Sequence, residues 1–296
     1  SHKEYSVTKI INSLVEIADR YDALFCDLWG CVHDGLIPFP EALNAMQSFK
    51  AKGGRVILVT NAPRPHSDVR KQLNNIGVKE DIYDGIATSG DSARMALFTG
   101  ALGKSVYFIG QPHDQSFFNP MNVVLDPIKI TQVPIEEADG IVCCGPFNPL
   151  KDLNELRPLL LKAQKKGLKL LCANPDIVVD RGETREWCAG GVAALYEEIG
   201  GESIYFGKPH PPIYDLARRR LEALGENIAN HRILCVGDGV LTDIAGASAE
   251  SFDSLFVTGG LAASVTKTDD HPNPEALRAY LQDEIAKPTY SIGKLR

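Results

Sequence analysis

Three aspartates carry the side chains with the clearest chemical use in this sequence. Asp27 follows the apolar run 23–26, whereas Asp238 and Asp243 lie in and just after a Gly-Asp-Gly sequence that follows the predicted strand 232–236. Mg²⁺ prefers carboxylate oxygens as ligands, usually together with water and a phosphate group. If the fold brings these aspartates together, they form a magnesium site that is suited to phosphate chemistry.

Thr60 and Lys208 add side chains that can bind a phosphoryl group. Thr60 follows the predicted strand 55–59, precedes Asn61 and offers a hydroxyl donor, and Lys208 offers a point charge. Taken singly, each feature has a plain structural interpretation, because Asp, Thr-Asn and Gly-Asp-Gly sequences also cap helices or form turns. The order and spacing of these residues, and the position of most of them after predicted strands, favour the chemical interpretation.

Short apolar runs alternate with segments of helical periodicity along the chain. The predicted strands are residues 23–26, 55–59, 106–109, 140–144, 168–173 and 232–236. The predicted helices follow Pro40, lie around 69–76, over 150–166 and 192–199, and between 209 and 225. This alternation is typical of a parallel sheet covered by helices, in which ligands bind at the carboxyl ends of the strands. The sequence therefore predicts an α/β fold with a doubly wound parallel sheet.

The composition is that of an ordinary folded protein. Of the 296 residues, 44% are hydrophobic and 23% are charged, and no apolar run reaches the ~20 residues of a membrane span. The net charge of -7 repels phosphate backbones, so broad binding to nucleic acid or to an anionic membrane is not expected. The length allows one large domain or two modest ones.

The seven cysteines are scattered along the chain without a Cys-x-x-Cys pair. The odd count and the spacing argue against a disulfide framework and against a structural zinc site. The polar residues 1–6 lack the apolar core of a signal peptide. We therefore expect reduced thiols and a cytoplasmic location, and the sequence leaves a homo-oligomer open.

The motifs together resemble those of the haloacid-dehalogenase superfamily of phosphotransferases and phosphatases. The matching segments are DLWGCV at 27–32, Thr-Asn at 60–61, Gly-Lys-Pro at 207–209 and GDGVLTD at 237–243. The long segment before Gly-Lys-Pro looks like the cap of the class IIA branch, which includes nucleotide, sugar-phosphate and phosphoglycolate phosphatases. Its closing part carries Asn-Pro-Asp at 174–176 and Gly-Gly at 190–191. The resemblance implies a Rossmann-like catalytic core of residues 1–87 and 206–296, with an inserted α/β cap at 88–205.

The resemblance also implies a mechanism with an aspartyl-phosphate intermediate. Asp27 would be the nucleophile, and Lys208 would orient Asp27 and hold the transferring phosphoryl group. Thr60 and Asn61 would belong to the phosphate-binding residues. A carboxylate serves as a covalent nucleophile when charge on the incoming phosphate is screened.

The same resemblance implies a set of magnesium ligands. Asp27 and Asp238 would bind Mg²⁺ directly, together with the backbone carbonyl of Trp29. Asp243 would either bind the metal or hold a water molecule that is bound to it.

Trp29 departs from the pattern of the phosphatases, which usually have an Asp at this position as general acid and base. An indole cannot transfer a proton at neutral pH, and general acid-base help is worth ~10²–10⁴-fold. Hydrolysis is therefore expected to be weak unless another group substitutes. His33 and Asp34 lie close in sequence, and His33 is expected to line the pocket or lie in a solvated loop.

The predicted function is Mg²⁺-dependent hydrolysis of a small phosphomonoester. Arg181 or Arg185, in the polar stretch 180–188 of the predicted cap, is a candidate to clamp a second anionic group, although that stretch is also interpretable as a solvated loop with surface salt bridges. Two alternatives remain. One is a carbon-halogen hydrolase, since dehalogenases have an aromatic residue at the position of Trp29 and need no metal. The other is a weakly active or inactive member of the superfamily that binds a phosphorylated ligand.

The acidic residues and the lysine argue against both alternatives. A metal-free dehalogenase has little reason to cluster Asp238 and Asp243, and a pure binding protein needs neither the nucleophile Asp27 nor Lys208.

Overall fold

The computed structural model describes residues 7–296, so the expectation drawn from residues 1–6 lies outside the described residues. The described chain divides into two compact units. The core unit contains the described residues up to Thr60, together with Arg70–Ala87 and Tyr214–Arg296. The inserted unit contains Asn61–Val69 and Thr88–Ile213.

Strands and α-helices alternate along part of the chain, whereas the ranges 105–143 and 169–187 each contain three strands without an α-helix between them. The strands are β1 (Lys9–Ile10), β2 (Ala23–Cys26), β3 (Arg55–Thr60), β4 (Gly85–Thr88), β5 (Ser105–Ile109), β6 (Thr131–Gln132), β7 (Gly140–Cys143), β8 (Lys169–Cys172), β9 (Val178–Arg181), β10 (Thr184–Trp187), β11 (Glu202–Tyr205), β12 (Ile233–Gly237), β13 (Asp253–Val257) and β14 (Tyr290–Ile292). The α-helices are α1 (Pro40–Ala51), α2 (His66–Ile76), α3 (Ser89–Phe98), α4 (Arg157–Lys165), α5 (Ala189–Glu198), α6 (Pro211–Ala223), α7 (Ala245–Ala249) and α8 (Pro274–Leu281).

The core unit is built on a seven-stranded sheet with the order β1-β14-β13-β12-β2-β3-β4. In this order, each pair of neighbouring strands from β1 at the edge to β3 is parallel. All four residues of β2 are buried, as expected for a strand that is covered on both faces. The predicted fold class, an α/β fold with a Rossmann-like parallel sheet, is confirmed.

Helix α1 shows why the sequence pattern predicted these elements well. Pro40 occupies its first turn, where a missing N–H costs nothing, and Ala42, Met46 and Phe49 are buried on one face. The chain leaves the helix through Gly53, which has a φ of +94°. Glycine adopts this left-handed conformation without the steric cost of a Cβ atom.

The inserted unit has its own parallel sheet, with the strand order β11-β8-β7-β5-β6. Helix α5 packs its apolar residues Val192 and Tyr196 into a core that includes Ile141 and Leu170. The separate antiparallel hairpin of β9 and β10 belongs to the same unit.

The structure contains strands and helices beyond the predicted ones, among them β4, β13, β14 and α3, and it also differs from the sequence-based boundaries. The helix predicted over 150–166 begins only at Arg157, after a 3-10 turn over Leu153–Leu156 that is capped by Asp152. A proline at the start of α4 explains this. Proline fits the first turn of a helix, but it lacks the N–H that a residue in the interior of a longer helix would donate. The stretch 178–187 forms a hairpin instead of a loop. Residues 61–69 and 206–213 group with the inserted unit, whereas the sequence-based boundaries placed them in the core.

The seven cysteines are all free and buried, in agreement with reduced thiols. Among the described residues, no helix has both the length and the apolar character that crossing a membrane requires.

Candidate functional site

Asp27 and Asp238 are brought together by the pairing of β2 with β12. Cys26 and Val236 are register partners in these strands, and the backbone N–H of Asp27 donates to the carbonyl of Val236 at 2.9 Å. A carboxylate oxygen of Asp27, one of Asp238 and the sulfur of Cys31 all lie within 4.8 Å of one another. Two carboxylates that are far apart in sequence thus meet at the carboxyl end of the sheet.

Glycine residues let the backbone approach Asp238 closely. A Cβ atom at Gly30 would overlap the Asp238 carboxylate, and Gly30 has a φ of +80°. A Cβ atom at Gly260 would lie 2.8 Å from Cγ of Asp238, and the next N–H, that of Leu261, donates to Oδ2 of Asp238 at 3.1 Å. The carboxylate of Asp238 is therefore held in one place by backbone on two sides.

Asp243 is fixed by the turn that follows β12. The N–H of Gly239 donates to Oδ2 of Asp243 at 3.1 Å, and a Cβ atom at Gly237 would overlap the Asp243 carboxyl group. Asp243 is buried in the π-helical segment Val240–Ile244. The Gly-Asp-Gly sequence thus serves the close packing of two carboxylates.

The charges of these aspartates favour a cation. Burial, and then the neighbouring charges of Asp27 and Asp243, raise the pKa of Asp238 well above its usual range. A divalent cation between the carboxylates would remove this repulsion. The oxygen atoms of Asp27 and Asp238 fit Mg²⁺ or Ca²⁺, which are hard cations. Burial raises the pKa of the Cys31 thiol well above its usual range, so Cys31 stays a neutral thiol and a poor ligand for them.

Trp29 packs against its own loop. Its indole lies on Gly35, where a Cβ atom would overlap the ring, and its ring centroid is 5.1 Å from that of His33. His33 is buried instead of solvated, and its Nδ1 accepts a hydrogen bond of 2.8 Å from the N–H of Gly35. The indole is therefore a packing element of this loop.

Asp34 stabilises the turn that follows. Its Oδ1 accepts hydrogen bonds from the N–H groups of Leu36 and Ile37 at 2.9 and 2.8 Å. The bond from Ile37, and less strongly that from Leu36, lowers the pKa of this carboxyl group. An aspartate with a lowered pKa is a poor proton donor at neutral pH, so Asp34 is unsuited to replace the missing acid.

Thr60 and Asn61 are both buried at and just beyond the end of β3. The Oδ1 of Asn61 accepts a hydrogen bond from the N–H of Lys208 at 2.8 Å, and its Nδ2 donates to the carbonyl of Lys208 at 3.1 Å. The same Nδ2 donates to Oδ1 of Asp176 at 2.9 Å. The Asn61 side chain, which the sequence predicted among the phosphate-binding residues, is thus bonded to the backbone of the predicted phosphate-binding lysine.

Gly207 is the residue that allows this arrangement, and replacing it by alanine tests the packing. The added Cβ atom would lie 2.6 Å from Oδ1 of Asn61 and 2.7 Å from Cδ of Pro175 and Oγ of Ser89. We expect Gly207→Ala to lower the free energy of unfolding by ~1–3 kcal/mol, the usual cost of overpacking a filled interior. Urea unfolding measures this change. In the matched control Gly145→Ala, the added Cβ atom would meet no atom of the described residues within 4 Å. Equal stability of both variants would contradict the packing described.

Arg185 lies on the hairpin of the inserted unit, opposite Asp180. Its Nε and Nη2 donate to the two carboxylate oxygens of Asp180 at 2.8 and 3.0 Å. The pair is exposed, and such pairs contribute only ~0–1 kcal/mol, so exchanging Asp180 for another anion costs little. The structure thus leaves the predicted role of Arg185 as an anion clamp open to experiment.

Within each unit, residues that support the candidate side chains went unrecognised in the sequence. Gly30 and Gly260 support Asp238, and Asp176 binds Asn61. Gly30 and Asp176 do lie inside the motifs that resemble the superfamily, and a glycine three residues after Asp27 was a usable signal for close backbone approach. The contact of Asp176 with Asn61 has no local signal, because it joins two distant segments.

Two protein-family models match the chain. The model described as haloacid dehalogenase-like hydrolase matches residues 24–123, and a model described as HAD-hydrolase-like matches residues 205–286. The first match contains Asp27, and the second contains Lys208 and Asp238. Both therefore cover the motifs that carry the candidate chemistry.

Similar proteins cover nearly the whole chain. The glycerol phosphate phosphatase of Mycobacterium tuberculosis, solved in complex with calcium, is 25% identical with a TM-score of 0.66, over 93% of this chain and 74% of that chain. The 5′-nucleotidase YutF of Bacillus subtilis (strain 168) is 24% identical over 286 residues, which are 93% of this chain and 96% of the relative.

A second similar structure has a higher identity. It is that of a haloacid dehalogenase-like hydrolase from Brucella suis 1330, with 36% identity and a TM-score of 0.84, over 97% of this chain and 100% of that chain. The motifs, the two model matches and this similarity agree. The protein belongs to the haloacid dehalogenase-like hydrolase family.

Proposed function

We propose that this protein is a Mg²⁺-dependent phosphatase that hydrolyses small phosphomonoesters through an aspartyl-phosphate on Asp27. The observation that carries the proposal is the close approach of Asp27 and Asp238, with ligand atoms within 4.8 Å. The names of the relatives, a glycerol phosphate phosphatase and a 5′-nucleotidase, support small phosphorylated molecules as the substrate class. The calcium complex of the first supports a divalent cation.

The proposed reaction has two steps. A carboxylate oxygen of Asp27 attacks phosphorus, the bond from phosphorus to the ester oxygen breaks, and the ester oxygen leaves with the bonding electrons and takes up a proton from water to give the alcohol. Water then attacks the phosphorus of the aspartyl-phosphate, which releases orthophosphate and restores the Asp27 carboxylate. Because the transition state is loose, catalysis depends mainly on positioning and on charge compensation.

The other side chains are assigned to binding. Asp27, Asp238 and the carbonyl of Trp29 would hold Mg²⁺, and Asp243 would hold the metal or its water. Bound Mg²⁺ would compensate negative charge on the phosphoryl group. The ammonium group of Lys208 and the hydroxyl of Thr60 would bind the phosphoryl oxygens.

Trp29 is proposed to limit the range of substrates, because an indole cannot protonate a leaving alcohol. We therefore expect Trp29→Asp to raise kcat/KM for an alkyl phosphate by at least ~10-fold, within the range of general acid catalysis, and to change it little for an aryl phosphate. An aryloxide leaves without protonation, whereas an alkoxide does not.

The control for this substitution is Trp29→Asn, which has the same size as the aspartate variant but no transferable proton. Thermal melting of both variants must first show a folded protein, since truncating a fully buried Trp costs ~3–5 kcal/mol and the partly buried Trp29 packs against its own loop. Equal activity of the two folded variants on the alkyl phosphate would contradict the assignment.

A substrate screen tests the proposed function itself. Phosphorylated metabolites that include glycerol phosphates, nucleoside monophosphates and sugar phosphates are assayed for released phosphate with Mg²⁺ and with a chelator. The proposal expects turnover that depends on the metal. Release of halide from a haloacid without metal would instead establish the dehalogenase alternative. Binding of phosphorylated compounds without any turnover would establish a silent binding protein.

A further inference from the structure

The geometry points to Asn61 and Asp176 as positioning residues that fix Lys208 by a buried side-chain-to-backbone clamp. The inference rests on the proposed function in one respect, namely that Lys208 acts on the phosphoryl group. All three residues belong to the inserted unit.

The clamp engages both polar groups of the Lys208 backbone. The N–H of Lys208 donates to Oδ1 of Asn61 at 2.8 Å, and the carbonyl of Lys208 accepts from Nδ2 of Asn61 at 3.1 Å. Asn61 and Lys208 are each only 3% exposed, so water does not compete for these bonds. A carboxamide donates and accepts with the spacing of a peptide group, and Asn61 here pairs with Lys208 as a neighbouring strand would.

Asp176 determines the orientation of the Asn61 side-chain amide. Its Oδ1 accepts the second hydrogen of Nδ2 at 2.9 Å, which places the donor end of the amide toward both Asp176 and the Lys208 carbonyl. The reversed amide would set Oδ1 of Asn61 against two acceptors. Asp176 thus orients Asn61, and Asn61 orients Lys208.

The segment that carries Asp176 is itself tightly held. The N–H of Asp176 donates to Oδ1 of Asn174 at 3.0 Å, and the carbonyl of Asp176 accepts from the N–H of Gly190 at 3.0 Å. A Cβ atom at Gly190 would lie 2.5 Å from that carbonyl oxygen, so only glycine allows α5 to begin so close to it. Asn174 and Gly190 therefore both hold the backbone of Asp176 in place, and this backbone carries the carboxylate that binds Asn61.

Lys208 needs such support because it lies in the connection between β11 and α6, outside any regular element. A lysine side chain has about 2 kcal/mol of rotamer entropy, and its charge is useful only where the backbone aims it. A misplacement of about 1 Å in a catalytic site costs about 10²-fold in rate. Loss of the clamp is therefore expected to act on turnover more than on substrate binding.

A double-mutant cycle tests whether Asn61 acts through Lys208. We expect Asn61→Ala to lower kcat ~10–100-fold, with a smaller change in KM. In a protein that already carries Lys208→Ala, adding Asn61→Ala should lower kcat less than ~3-fold further. Asn61→Asp would place a carboxylate against Asp176 and the Lys208 carbonyl, so we expect a loss at least as large. Adding Asp176→Asn should restore part of it, because the new amide can donate to the carboxylate introduced at position 61. The exposed Asn75→Ala is the matched control, with unchanged kcat.

A second measurement does not depend on activity. The amide hydrogen of Lys208 is bonded to Asn61, so hydrogen exchange at this amide should accelerate at least ~10-fold in Asn61→Ala and in the isosteric Asp176→Asn. If the wild-type protein hydrolyses no phosphomonoester, the proposed function fails, and exchange still decides whether the clamp exists. If Asn61→Ala does not fold, Asp176→Asn carries both measurements. Unchanged exchange at Lys208, or full additivity with Lys208→Ala, would overturn the inference.

Discussion

Replacing Asp27 by asparagine is expected to reduce turnover of any phosphomonoester substrate by about 10³-fold or more, the order seen when a covalent nucleophile is removed. Asparagine has the same shape, and the backbone N–H at position 27 keeps its bond to the carbonyl of Val236. An amide oxygen is a far weaker nucleophile than a carboxylate. Steady-state kinetics with the best substrate of the screen measures the loss.

The control for this variant is Asp283→Asn, which makes the same chemical change at an exposed position of the core unit. It should keep wild-type turnover. Thermal melting of Asp27→Asn must show a folded protein. Wild-type turnover in folded Asp27→Asn would contradict the assignment of the nucleophile.

Replacing Asp238 by asparagine is expected to abolish stabilisation by Mg²⁺ without destabilising the metal-free protein. Asparagine still accepts the bond from the N–H of Leu261, and it removes the charge that faces Asp27 and Asp243. The metal-free variant should therefore be at least as stable as the wild type. In the wild type, Mg²⁺ at 100 times its Kd should add about 2.7 kcal/mol to the free energy of unfolding.

Denaturant unfolding with and without Mg²⁺ measures this difference, and calorimetry should detect Mg²⁺ binding only to the wild type. Asp283→Asn again serves as the control, with the Mg²⁺ effect retained. If Asp238→Asn gained as much stability from Mg²⁺ as the wild type, the metal would bind elsewhere and the assignment would be wrong.

The sequence predicted the centre of the core sheet because β2 and β12 consist almost entirely of apolar residues. The residues of β2 and four of the five residues of β12 are apolar and buried, which is characteristic of central parallel strands. The hairpin of β9 and β10 escaped prediction because its cross-strand partners include the charged pair Asp180 and Arg185. A ribbon with such polar pairs lacks the alternation of apolar and polar residues that identifies a strand.

The meeting of the two aspartates was predictable from the sequence, whereas the contacts of the Asn61 side chain were not. Asp27 and Asp238 follow apolar strands, and parallel strands end at the same edge of a sheet, so their meeting followed from the pattern. The use of the Asn61 side chain was not predictable, because its partners Asp176 and Lys208 come from distant segments. Local sequence patterns identify what a side chain can bind, whereas tertiary packing decides what it does bind.

The most direct test of the proposed mechanism is to identify a phosphate group on Asp27 during turnover. The protein is mixed with substrate and Mg²⁺, quenched in acid within one turnover, treated with borohydride and digested for mass spectrometry. Borohydride reduces an aspartyl-phosphate to homoserine, which marks the modified position. The mechanism predicts homoserine at position 27 in the presence of substrate and Mg²⁺, and none in Asp27→Asn. A phosphoryl group trapped on a different residue, or turnover with no modified residue at position 27, would contradict it.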